Sequence, residues 1–129
     1  MSRDSELLEL AAKAADIQLV GPVEKFIVQF DERHKGGFII HNERGGHSAW
    51  NPLTDDGDAL RLAVKLGVIL DVRYTEPTSM KFNEVCYWPK GRHASPYKRI
   101  CFDDKEADLQ AATRRAIVMA AAAIGKDMP

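Results

Sequence analysis

The 129-residue chain holds only two cysteines, Cys86 and Cys101, and that scarcity excludes several chemistries. They are too far apart for a CxxC redox pair and too few for a zinc ribbon or a disulfide scaffold. The fold must therefore rest on a hydrophobic core, which a chain of this length can bury without a staple. In a reducing compartment both thiols are expected to be buried. A bridge becomes geometrically reachable only if the segments carrying them pair as a hairpin. No apolar run approaches the roughly eighteen residues needed to span a bilayer. The start, Met1-Ser2-Arg3-Asp4-Ser5-Glu6, is acidic and polar where a secretory leader needs a basic end and an apolar run, so the cytoplasm is the expected location. Charge of one sign is lacking too. Eighteen basic residues face nineteen acidic ones, so the net charge of -1 gives no global attraction to nucleic acid or anionic lipid.

Catalytic and cofactor motifs are equally sparse. Neither GxGxxG nor GxxxxGKS occurs, which removes the common phosphate cradles, and there is no GxSxG nucleophile elbow. His34, His41, His47 and His93 are the only histidines, and no HxxxH or HExxH spacing places two of them on one helical face. The enzyme reading that survives uses His41 and His47 with Glu43 around a glycine-containing loop, and it requires those groups to converge in a pocket. The expectation is no catalytic residue, no metal and no cofactor.

What is present begins with a helix from about Asp4 to Ala15, capped by Ser2 or Asp4, with Leu7, Leu8, Ala11, Ala14 and Ala15 as its apolar stripe. Gly21-Pro22 reads as a connection. Strands are expected over Phe26–Phe30 and Phe38–His41, joined as a hairpin by the polar run 31–37. The glycines of the patch 42–47 give a mobile or tightly turned segment.

Trp50 to Gly67 is the most strongly specified stretch of the chain. Pro52 keeps Asn51 out of helical geometry, and Thr54 or Asp55 caps the helix that follows. Asp55, Asp56 and Asp58 complement its dipole; capping is preferred for them over divalent-cation binding, because the calcium-loop glutamate is missing. Leu60, Val64 and Gly67 mark one edge of the expected buried face, beside Ala63 and Leu66, with Arg61 and Lys65 pointing to water and Gly67 as the stop.

Val68–Tyr74 reads as a strand whose apolar beginning lies centrally in a sheet. Met80–Trp88 and Tyr97–Phe102 read as partner strands, with Val85 and Tyr87 on one face and Cys86 and Trp88 on the other. Asp103 or Asp104 caps a last, alanine-rich helix of about Ala107–Ile124, stopped by Gly125. The fold class is therefore α+β, a single domain over 1–129: three helices covering a mainly antiparallel sheet of about four to five strands, in the order α-β-β-α-β-β-β-α.

Three segments, LLELAAKAA at 7–15, WNPLTDDGDALRLAVKLG at 50–67 and AATRRAIVMAAAAIG at 111–125, together resemble the small proteins of tailed phages and prophages grouped as the phage ABA sandwich domain. They cover roughly half of the chain. The resemblance implies an α/β sandwich and a phage or prophage origin, and hence the cytoplasm of a host cell; it brings no catalytic residues. The loops 31–37, 42–49 and 89–96 lie outside the shared pattern, and specific function is expected there.

The strongest functional candidate is the basic and aromatic segment holding Trp88, Lys90, Arg92, His93, Tyr97, Lys98 and Arg99. Such a mixture contacts phosphates by charge and bases by stacking, and it equally grips an acidic protein surface. The expected function is that of a non-enzymatic phage accessory protein binding a host or phage macromolecule, inhibition of a host defence being one such role. The alternative is a nucleic-acid-binding module using the same segment. The small-residue face of the last helix offers either packing on its own sheet or a homodimer.

Overall fold

The computed structural model describes residues 3–26, 32–42, 44–73, 83–88, 98–102 and 106–129. Among them the order is helix α1 (Arg3–Ala14), strands β1 (Leu19–Pro22), β2 (Phe38–His41) and β3 (His47–Trp50), helix α2 (Asp56–Leu66), strands β4 (Ile69–Arg73), β5 (Asn83–Trp88) and β6 (Lys98–Phe102), and helix α3 (Glu106–Lys126). The class is α+β. A three-strand antiparallel meander followed by a helix occurs twice, β1-β2-β3-α2 and then β4-β5-β6-α3, although the sequence shows no repeat.

This replaces the expected single sheet by two three-stranded ones. Gly21-Pro22 is part of strand β1 rather than a connection. Proline is tolerated there because, among the described residues, β1 lies at the edge of its sheet and pairs with β2 alone. The patch after His41 is partly strand as well. β3 pairs with β2 in the register Phe38↔Trp50, Ile39↔Ala49, Ile40↔Ser48 and His41↔His47. Of the strand expected at Phe26–Phe30, Phe26 ends a short 3-10 turn and residues 27–30 lie outside the described residues. In the second sheet, among the described residues, β5 is the central strand and β4 pairs with β5 alone, in contrast to the central position expected for the start of β4. Cys86 lies opposite Arg99, and Cys101 opposite Glu84, so the two cysteines are offset by two positions in the register.

The α2 boundaries follow their caps. Asp55 accepts a hydrogen bond from the Asp58 amide at 2.9 Å, and Gly67, at φ 66°, closes the helix in left-handed geometry. Its buried face differs from the expected one: Asp58, Ala59, Leu62 and Ala63 are buried, whereas Leu60 and Val64 are 63% and 73% exposed. Apolar residues occupy both sides of this helix, and the stripe Ala59-Leu62-Ala63-Leu66 has the tighter i, i+3, i+4, i+7 spacing.

Helix α3 packs against α1, α2 and β5. Its alanines are consumed in those contacts: Ala112, Ala116 and Ala120 cover Val85 and Tyr87, and Ala121 joins Leu8, Ala11, Trp50 and Leu62 in the main core. Gly125 is not the helix stop. It lies inside α3, where a Cβ would run into the Leu10 carbonyl, so glycine lets two helix backbones approach closely. Arg115 pairs with Asp4 of α1 at 3.0 Å.

Candidate functional site

The stretch that precedes α2 is bonded to the 32–37 turn like a latch. Asn51 sends its side-chain amide to the Lys35 carbonyl at 3.0 Å and accepts from the Leu53 amide at 3.0 Å. Thr54 Oγ1 donates to the Arg33 carbonyl. Asp58 is 5% exposed; its Oδ2 accepts the Asn51 amide at 2.9 Å and stands 3.2 Å from His34 Nε2, while Oδ1 takes Arg61 at 2.6 Å. Gly37 completes the fit, because a Cβ at that position would overlap the Trp50 carbonyl.

His34, Asp55 and Asp58 each offer a ligand atom within 4.8 Å of the others, a donor set that would suit a divalent cation. The carboxylates are already engaged. Asp55 caps α2 and faces Arg33 at 3.7 Å, and Asp58 carries Arg61, His34 and a backbone amide. Two guanidinium groups and the positive helix end balance the two acids, so a dication would have to displace charge already in place. The arrangement holds backbone, tying the 32–37 turn to the start of α2. Asp56, the third acid, is exposed and pairs with Arg114 at 2.7 Å, whose Nε also donates to the Leu53 carbonyl at 2.9 Å.

Beside the latch, and sharing Arg61 with it, lies a cleft of about 440 Å³ between the end of α1, strands β2 and β3, and α2. Its apolar part is Ala15, Ile17, Ile40, Trp50 and Leu62; its polar part is Asp16, Gln18, His41, Asn42, Ser48, Arg61 and Lys65. Local chemistry fixes each wall. Asn42 Oδ1 accepts the amides of Arg44 and Gly46 at 3.1 and 2.9 Å, and Gly45 takes φ 83°, so the β2–β3 turn is tight. Arg61 and Lys65 stand one helical turn apart on the exposed face of α2. The volume is that of a small-ligand or single-side-chain site.

His41 and His47 do converge, as directly opposed strand partners with ring centroids 4.8 Å apart, and His41 lines the cleft. Glu43 lies outside the described residues. Among the described residues no hydrogen bond joins Ser48 to either histidine. A second groove, of about 390 Å³, runs between α2 and α3 and is lined by Leu60, Ala63, Leu109, Thr113 and Ile117.

Of the segment singled out from sequence, Trp88 ends β5 half-buried opposite Ile69, and Lys98 opens β6, exposed, opposite Tyr87. Arg99 pairs through its backbone with Cys86. Lys90, Arg92, His93 and Tyr97 lie outside the described residues. The cleft itself was not legible from sequence, because its walls come from four segments; the one available signal was the Arg61/Lys65 pair at helical spacing. Among the described residues no helix is long and apolar enough to cross a membrane. No family model, curated protein or solved structure matches the chain.

Proposed function

We propose that this chain is a non-enzymatic accessory protein of phage or prophage origin that acts by binding a host or phage protein. The origin rests on the resemblance carried by residues 7–15, 50–67 and 111–125. The recognition point is the cleft bordered by Arg61 and Lys65, and its occupant is an acidic segment of the partner. One observation carries this reading: Lys65, with the Asp58-bound guanidinium of Arg61 one helical turn before it, lines the cleft beside an apolar wall made by Ile17, Ile40, Trp50 and Leu62. Charge steers and selects the partner, and the apolar wall supplies contact area that favours retention. The basic and aromatic segment from Trp88 to Arg99 is a second contact in the same reading, with Lys98 as its exposed described cation.

Affinity capture from nuclease-treated host lysate tests this with wild type and a Lys65→Glu variant, which leaves the Arg61–Asp58 pair in place. A partner held by wild type, released by moderate salt and lost by the variant is the expected result. Equal retention removes the cleft. A parallel Lys90/Arg92/Lys98/Arg99 charge-reversed variant reports on the second contact, and capture that disappears on nuclease treatment would point instead to nucleic acid.

A further inference from the structure

We infer that His41 and His47 form a two-imidazole site for a borderline divalent transition metal ion of the zinc type. Sheet geometry brings the two rings together. The His41 amide donates to the Gln18 carbonyl on the β1 side at 3.2 Å, so it does not bond across to β3. The Asn42 amide donates to the Gly46 carbonyl at 2.9 Å, which makes 42 and 46 the hydrogen-bonded pair. His41 and His47 are therefore a non-hydrogen-bonded pair, the type in which opposed side chains lie closest. The Asn42 turn pins this register, so the two backbone positions are paired before any ion arrives.

The spacing fits chelation. With each ligating nitrogen about 2.0–2.1 Å from the ion, the ring centroids fall about 4.5 Å apart for a right angle at the metal and about 5.2 Å apart for a tetrahedral one. The observed separation is 4.8 Å, with the rings inclined at 55°. Both histidines are exposed, and among the described residues neither ring has a hydrogen-bond partner, so their nitrogens are open to an ion from solvent. Imidazole selects zinc, copper or nickel over calcium or magnesium, whose preferred ligands are oxygens. Water completes the coordination. Of the pair, His41 also lines the cleft. The metal site stands whether or not that cleft receives an acidic segment.

Zn²⁺ alone is the probe, titrated calorimetrically into untagged protein at pH 7.5, with Ca²⁺ as the hard-ion control. One Zn²⁺ per chain is expected, with a melting temperature raised by Zn²⁺ and not by Ca²⁺. His41→Ala and His47→Ala should each weaken binding at least about tenfold while the far-ultraviolet circular dichroism is retained, since both side chains are exposed. Zn²⁺ binding that persists in the double variant would place the ion elsewhere and overturn the assignment, as would no binding to wild type.

Discussion

His34 Nε2 lies 3.2 Å from Oδ2 of Asp58, and the same oxygen accepts the backbone amide of Asn51. One buried carboxylate thus joins the turn before β2 to the residues that launch α2. Removing it strips the Asn51 amide of its acceptor and leaves His34, whose buried Nδ1 has no hydrogen-bond partner among the described residues, against a void. Asp58→Ala is expected to cost about 3 kcal/mol of stability, in the range for breaking a buried charged network. Urea denaturation measures it, and a double-mutant cycle with His34→Ala should show coupling of about 1 kcal/mol. Strict additivity would reduce the His34 contact to mere proximity.

Gly125 offers a test of sign. In an ordinary helix interior, glycine to alanine stabilises by about 1 kcal/mol. Here the added methyl meets the Leu10 carbonyl, so Gly125→Ala should destabilise instead, by about 2 kcal/mol, because two backbones must separate. A raised melting temperature would show that α1 and α3 are not in close contact at that point.

The two faces of α2 should respond in opposite ways. Leu62→Ala opens the main core and should cost about 3 kcal/mol. Leu60→Ser and Val64→Ser alter exposed positions and should each change stability by less than about 0.5 kcal/mol. Equal costs on both faces would mean that Leu60 and Val64 are covered in solution, and sedimentation would then show whether a second copy covers them.

Burial raises the pKa of the Tyr87 phenol above its ordinary value of 10.0. The neutral form is therefore favoured in the folded chain relative to the unfolded one. Its contribution is fully present below pH 10 and is lost as pH rises through the higher folded value, because the unfolded state gives up its proton first. Tyr87→Phe should flatten the alkaline limb of the stability profile above about pH 10 and leave its slope near neutrality unchanged. An unchanged alkaline limb would assign the loss of stability to other groups.

Much of the local structure was written in short-range patterns. The Asp55 cap, the Gly67 stop and the span of α2 all follow from chemistry within one turn of the chain. The alternation that put Val85 and Tyr87 on one face likewise matches their shared burial beneath α3. Legibility failed where one residue can serve two environments. Gly21-Pro22 has the composition of a turn, yet an edge strand accepts a proline. Gly125 has the composition of a helix stop, yet a helix crossing demands the same absent side chain.

The sequence by itself determined where helix α2 begins and ends, that the chain is α+β, and that Val85 and Tyr87 share a face, because caps, turns and periodicity act over a few bonds. Only the tertiary structure decided that there are two sheets, that Leu60 and Val64 are exposed, and that Trp50–Gly67 forms one wall of a cleft while latching the 32–37 turn. Those outcomes depend on pairs such as Asp58 with His34, His41 with His47 and Gly125 with Leu10, which are set by strand register and helix approach. No local pattern encodes such pairs, since the energy that selects them comes from surfaces meeting across the fold.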